Sequence, residues 1–141
     1  MTSFPEMCQR IVDTGDSDFL KSHLDSPDPR ERMFAILVVQ RLKLYQYVPQ
    51  LRNFLKSSFD GDIADSIVAL STLEDREAYP EIIKFASYPN PEVRSTVPFA
   101  IRKLGGEADR AILIRLSRDG DYDTRLNALD VLKFLDEALL Q

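Results

Sequence analysis

The stretch AILVVQRL at residues 35–42 returns every 31 residues, as SIVALSTL at 66–73, VPFAIRKL at 97–104 and ALDVLKFL at 128–135. Its apolar residues are spaced by three and four, which places them on one side of a helix. Repetition with a fixed period of about 20 to 50 residues is typical of stacked units that bury their apolar sides against their neighbours. The repeat therefore predicts an all-α fold, a right-handed α-solenoid.

A second apolar block follows in the same register, with Leu51, Ile82 and Leu113 spaced by 31 residues. Each unit is therefore predicted to be a pair of helices. The chain should contain about nine helices in all: a partial unit at 4–24, full pairs at 28–58, 60–88 and 91–118, and a final helix from 122 to about 139.

Capping residues mark where the first helix of a unit begins. Asp28-Pro29, Asn90-Pro91 and Asp121 each precede an apolar helical pattern. An Asp or Asn at the N-cap accepts a hydrogen bond from a backbone amide of the first turn, and proline at the next position sacrifices no helical bond. Pro98 lies in the middle of the third unit's first helix, where proline is expected to bend or interrupt it.

Composition indicates a single domain over residues 1–141, with a formal net charge of −5 and one cysteine, Cys8. A lone cysteine excludes an internal disulfide and fits a reducing compartment. The longest apolar run, at 34–39, is far shorter than the roughly 20 residues of a membrane span, and Glu6 and Arg10 interrupt the place of a signal peptide. We therefore expect a cytoplasmic protein without a membrane segment.

The motifs of the third unit carry a family resemblance. The corner at 90–94, NPEVR, followed by AIRKLG at 100–105, resembles HEAT repeats, in particular the short repeats of phycobilisome lyases and many small bacterial proteins. The first and last units match the same pattern, whereas in the second Phe59 and Ile63 replace the corner Asp and Arg. The resemblance covers about residues 17–137 and implies a HEAT-like solenoid.

The resemblance also implies a role for the corners. In HEAT families the corner arginine bonds with the corner acid of a neighbouring unit, which forms a ladder along the stack. By this resemblance the structural ladder consists of Asp28, Arg32, Asn90, Arg94, Asp121 and Arg125. Ile63 implies a gap in that ladder.

The negative charge is concentrated in the second repeat. Residues 59–89 contain seven acidic and two basic side chains, a net charge of 2 − 7 = −5. A local potential of this kind attracts a basic partner, although a solvated face without a partner has the same composition. Together with cationic residues of the inner helices, we expect the partner-binding residues to be Asp60, Asp62, Asp65, Glu77, Glu81, Lys84, Arg115 and Arg118.

The second helices line the concave side of HEAT solenoids, so their outward rows are a further candidate surface. One row contains Ser22, Asn53, Lys84 and Arg115, and the other contains Asp25, Lys56, Ser87 and Arg118. Both rows become basic toward the C-terminus, which would suit nucleic-acid phosphates. The rows are short, contain no aromatic residues and belong to a protein of pI about 4.9, so a protein partner is favoured.

No pattern of catalytic or metal-binding residues accompanies the repeat. The one histidine, His23, shares a column with Phe54 and Phe85, and no nucleophile or second ligand is placed beside it. We therefore expect a non-catalytic binding protein without a cofactor or metal. Its partner would be a basic toxin, as for bacterial immunity proteins with HEAT-like folds, or an assembly client. A bilin-lyase-like attachment factor is the enzymatic alternative.

Overall fold

A computed structural model describes residues 3–140, and these residues form helices without any strand. The all-α fold class is therefore confirmed. The chain divides into two compact units, Met1–Leu73 and Glu74–Gln141.

The first unit contains five helices among its described residues. They are α1 (Phe4–Thr14), α2 (Ser17–Leu24), α3 (Pro29–Leu42), α4 (Val48–Phe54) and α5 (Asp60–Thr72). Helix α3 packs against α1, α2 and α5, and α4 packs against α5. The buried side chains come from the predicted columns, among them Val38, Val39, Leu51 and Leu70. The partial unit at the N-terminus is itself a short pair, α1 and α2.

The second unit contains the remaining helices. They are α6 (Tyr79–Ile83), α7 (Pro91–Arg94), α8 (Val97–Leu104), α9 (Arg110–Leu116) and α10 (Tyr122–Leu139). Helix α10 packs against α8 and α9, and α6 packs against α8. The core of the second compact unit is built from Ala86, Val97, Ile101, Leu113, Leu116, Ala128, Val131 and Leu135.

The predicted caps are present. Asp28 Oδ1 accepts from the Arg30 amide at 2.9 Å, and Asn90 Oδ1 accepts from the Glu92 amide at 2.9 Å. Asp121 Oδ2 accepts from the Thr124 amide at 2.9 Å. Each of these oxygens satisfies a first-turn amide that has no partner within the helix. The side chains of Asp28, Asn90 and Asp121 therefore already accept hydrogen bonds from the helices that they cap.

The first helix of the third repeat is interrupted next to Pro98, where the sequence predicts a bend. Helix α7 ends at Arg94 and α8 begins at Val97, so that Pro98 falls in the first turn of a new helix. Proline fits there because its missing amide is not needed for a helical bond. The break converts one expected helix into two segments.

A short 3₁₀ turn precedes three of the second helices, a feature that the periodicity did not predict. These turns are Tyr45–Tyr47, Arg76–Ala78 and Glu107–Asp109, again 31 residues apart. The Tyr79 hydroxyl donates to Asp109 Oδ2 at 2.6 Å, and burial followed by this hydrogen bond raises the pKa of Tyr79 above its usual range. The turns thus contribute fixed contacts between successive repeats of the second unit.

Candidate protein-interaction surfaces

The corner arginines share one geometry. Each donates through Nη1 to the carbonyl six residues before it: Arg32 to Ser26 at 2.9 Å, Arg94 to Tyr88 at 3.0 Å, and Arg125 to Asp119 at 2.9 Å. The carbonyl groups belong to the turn that leads into the arginine's own helix. A guanidinium in this position therefore links the first helix of a repeat to the turn that precedes it.

Two of these arginines also form ion pairs with an acid further along the chain, within the same compact unit. Arg32 Nε contacts Asp62 Oδ1 at 3.1 Å, and Arg94 donates from Nη2 to Asp119 Oδ1 at 2.8 Å and from Nε to Asp119 Oδ2 at 3.0 Å. The Arg94 guanidinium, as the largest cause, lowers the pKa of Asp119. The acids of these pairs are therefore Asp62 and Asp119.

The corner arginines therefore do not bond with the corner residues that the ladder prediction named as their acceptors. Asp28, Asn90 and Asp121 cap helices, and the arginines reach other oxygens, because a capping carboxylate is already turned toward its own first-turn amides. Arg125 donates to backbone carbonyls, of Asp119 at 2.9 Å and of Gly120 at 3.1 Å. Each corner arginine thus contacts the turn before its own helix, and Arg32 and Arg94 also contact an acid further along the chain.

Asp62 does not belong to an exposed acidic surface, and its expected role as a partner-binding residue is wrong. Only 3 % of the residue is exposed. It accepts from Arg32, and the Ser57 hydroxyl donates to its Oδ2 at 2.7 Å. A carboxylate with these partners is part of the interior of the first unit and cannot meet an approaching protein without losing them.

The other acids of the second repeat lie closer to the surface. Asp60 and Asp65 in α5 are half-buried, and Glu77 and Glu81 in the second unit are exposed. Lys84 Nζ donates to Glu81 Oε1 at 3.0 Å, which locally balances one of these charges. The exposed acidic potential of this repeat is therefore smaller than the sequence count of −5 suggests.

The outward rows of the second helices are exposed as predicted, including Lys84, Arg115 and Arg118. Their side chains point into solvent while Ile82 and Leu113 of the same helices are fully buried. The rows are thus available to a partner.

An apolar face that the sequence analysis did not single out lies along α10. Tyr122, Leu126, Leu129 and Leu140 lie on the side of α10 opposite to the buried Val131, and all four are exposed. The exposed Lys133 and Asp136 lie on the same side between Leu129 and Leu140. Leu126 is 42 % exposed and Leu129 is 51 % exposed. We call these four residues the outer face of α10.

The repeat register relates one member of this face, Leu129, to positions that are buried in the other repeats. Leu129 shares its column with Ile36, Ile67 and Pro98, and all three of these are buried. Leu126 differs from Leu129 in this respect, because Met33 and Ser95 of its column are half-buried.

The acids around this face outnumber the bases. Asp123, Asp130, Asp136 and Glu137 are exposed on α10, together with Lys133. Asp136 Oδ1 accepts from Arg110 Nη2 at 2.8 Å, and Glu137 Oε1 lies 4.0 Å from Lys133 Nζ. Asp123 and Asp130 therefore border the apolar face, whereas Lys133 and the paired Asp136 interrupt it.

The residues with potential chemistry lack catalytic surroundings. His23 Nδ1 lies 2.9 Å from the Phe19 carbonyl, and its ring is 4.5 Å from the Phe19 ring. Cys8 is half-buried, and burial raises the pKa of its thiol, which disfavours the nucleophilic thiolate. Among residues 3–140, no three His, Cys, Asp or Glu side chains are grouped to hold a metal ion.

Stacked helix pairs with a 31-residue period and arginine-fastened corners define a helical-repeat protein. A HEAT-repeat family model matches residues 63–133, half of the chain, and the chain therefore belongs to the HEAT repeat family. This family is typical of protein-interaction scaffolds and is typically non-catalytic. No match to a curated protein was found. Within the described part of the chain, no helix is both long and apolar enough to cross a membrane.

Proposed function

We propose that this protein is a non-catalytic binding module that holds another protein against the outer face of α10. The observation that supports the proposal is the exposure of Leu126 and Leu129 on one side of α10, at a place where the counterparts of Leu129 in the other repeats are buried. A partner that covers these leucines would gain roughly 25 cal/mol for each Å² of apolar surface removed from water. The face therefore offers a hydrophobic centre with a polar border, the usual composition of a protein interface.

We further propose that the partner is a basic protein and that the setting is an immunity-type complex with a basic toxin, or an assembly complex. The acidic border of α10 and the exposed Glu77 and Glu81 support a basic partner, because exposed charges of one sign steer the approach of the other sign. The cationic Arg115 and Arg118 would contact acidic groups of the same partner.

Site-specific photo-crosslinking tests the binding proposal. A photoreactive benzoylphenylalanine replaces Leu129 in α10, and the matched control carries it in place of Val12, which is exposed on α1. Irradiation in the native cells should join the position 129 variant to one defined protein, and the position 12 variant should give no such adduct.

The absence of an adduct at position 129, or an identical set of adducts from both positions, would contradict a binding role for this face. Adding bilin to the pure protein separates the lyase alternative, since attachment would shift the visible absorption of the pigment. The binding proposal expects no shift.

A further inference from the structure

A cavity of about 240 Å³ opens between the end of α2 and helix α4, within the first compact unit. The Tyr47 hydroxyl donates to the Ser17 carbonyl at 3.3 Å, which joins the starts of these two helices. The residues that line the cavity are Leu24, Asp25, Pro49, Gln50, Asn53 and Phe54. None of them lies on α10, so the cavity is independent of the binding surface proposed above.

One lining group is a buried hydrogen-bond acceptor without a partner. The side-chain oxygen of Gln50, Oε1, is shielded from water, and no donor among the described residues reaches it. Buried acceptors are nearly always satisfied in folded proteins, by the protein itself or by a bound molecule. Because the last torsion of a glutamine side chain is broad, a modest turn of the amide presents this oxygen to the cavity. The oxygen therefore marks a place for a hydrogen-bond donor.

Two further polar side chains of the cavity are free to accept hydrogen bonds. Asp25 is exposed, and among residues 3–140 its carboxylate forms neither an ion pair nor a hydrogen bond. Asn53 is exposed as well, and its side-chain amide has no partner among the same residues. Lys21, one turn before Asp25, and Lys56, the next member of its row, are exposed, do not line the cavity and form no ion pair with Asp25. The lining residues thus contribute a carboxylate and two amide oxygens but no cation.

The other lining residues are apolar, and the end of a helix adds to the negative potential. Leu24 is almost fully buried and Phe54 is half-buried. A methylene stem can pack against these side chains, and the face of an aromatic ring attracts a cation. Leu24 is also the last residue of α2, and the carbonyl groups at the C-terminal end of a helix favour positive charge.

We infer that this cavity binds a guanidinium or alkylammonium group on a short aliphatic stem, such as the side chain of arginine or lysine. The cation donates to the Asp25 carboxylate and to the side-chain oxygens of Gln50 and Asn53. Its stem lies against Leu24 and Phe54. The volume fits a group of this size, because pockets that enclose a whole drug-sized ligand measure about 300–1,000 Å³.

Titration of the full chain with small ions tests this inference. The probe is n-butylguanidinium. The controls are n-butyltrimethylammonium, which keeps the charge and the stem but has no N–H donor, and butyrate, which reverses the charge. In nitrogen-labelled NMR spectra at constant ionic strength, the side-chain NH₂ signals of Gln50 and Asn53 should shift saturably with the probe. Each control should bind about tenfold more weakly or not at all, because it lacks the charge-assisted hydrogen bonds.

Matched variants locate the site. Asp25→Asn should weaken binding of n-butylguanidinium about tenfold and leave the helical spectrum unchanged, since Asp25 is exposed. The control Asp18→Asn removes the same charge from an exposed acid of α2 outside the cavity and should leave the affinity unchanged. Gln50→Met keeps the length of the side chain but removes the unpartnered oxygen, so it should weaken binding without lowering the melting temperature.

A model of an arginine residue, N-acetyl-arginine N-methylamide, identifies the source of the cation. Binding as tight as that of n-butylguanidinium would assign the cavity to a side chain of a basic protein, and binding of n-butylguanidinium alone would assign it to a free organic cation. The absence of a saturable shift, or equal binding of n-butyltrimethylammonium, would overturn the inference. Undiminished affinity in Asp25→Asn, or an equal loss in Asp18→Asn, would overturn it as well.

Discussion

Replacing Arg94 by alanine removes the guanidinium that joins two repeats of the second unit, and it should destabilise the fold without abolishing binding at α10. Arg94 donates to both carboxylate oxygens of Asp119 and to the carbonyls of Tyr88 and Pro89. The two side chains of the pair are 19 % and 13 % exposed, so both are largely removed from water.

The expected cost follows from this partial burial. Exposed ion pairs contribute about 0.2–1 kcal/mol, and breaking a fully buried pair costs about 3–5 kcal/mol. Arg94→Ala lies between these limits, and we expect a loss of about 2–3 kcal/mol in the free energy of unfolding. In a chain of this size, about 3–4 °C of melting temperature correspond to each kcal/mol, so the midpoint should fall by roughly 6–12 °C.

Circular dichroism melts and urea titrations of Arg94→Ala measure this loss. Arg30→Ala is the matched control, because Arg30 is 71 % exposed and 3.5 Å from Asp28, and its midpoint should not change measurably. In a double-mutant cycle with Asp119→Ala, the two single changes should be clearly non-additive. If the melting midpoint of Arg94→Ala equals that of the parent protein, the corner arginines do not stabilise the fold.

Three further substitutions test the interior. Ser66→Ala should raise the free energy of unfolding by about 1 kcal/mol in urea titrations. The buried Ser66 hydroxyl has no hydrogen-bond partner among the described residues, and alanine is the better helix former. A loss of stability would show that this hydroxyl forms a hydrogen bond. Leu104→Ala should cost about 2–5 kcal/mol in the same assay, and a cost below about 1 would place the leucine column outside the core. Asp119→Asn should make the free energy of unfolding depend less on pH in the acid range. The pKa of Asp119 is lowered in the folded state, so the charged carboxylate adds stability above the unfolded-state pKa of about 3.9, and this stability is lost as the pH falls through the folded-state pKa. An unchanged pH dependence in the acid range would show that this carboxylate is not linked to folding.

The helices and their buried columns could be predicted because a 31-residue repeat ties each position to its counterparts. Val38, Ala69 and Ala100 are all buried, as their shared column requires. The caps and the interruption at Pro98 followed from local chemistry, since they depend on residues within one turn of each other.

The contacts of the arginines could not be read from the same register. A column shows that Arg32, Arg94 and Arg125 are equivalent, but it does not show which oxygen a long side chain reaches. Arg32 meets Asp62 and Arg94 meets Asp119, and these two acids occupy different columns. The acceptor is decided by the three-dimensional path of each turn, which sequence periodicity does not contain.

Counting charges gave the wrong exposure for Asp62, and the exposure of Leu129 was not predicted. Asp62 is counted with the acidic surface, but its pairing with Arg32 and Ser57 places it in the interior. Leu129 lies in a column that is buried in the other repeats, but it is 51 % exposed. Burial depends on the neighbouring element as well as on residue type.

Methyl NMR with the leucines labelled tests the central claim, that α10 is the surface that binds another protein, most directly. The labelled chain is titrated with the protein crosslinked at position 129. We predict that the methyl signals of Leu126, Leu129 and Leu140 shift strongly, while those of the buried Leu51 and Leu113 change little. Shifts confined to leucines of the first unit or of the second helices would contradict the assignment of α10 as the binding surface.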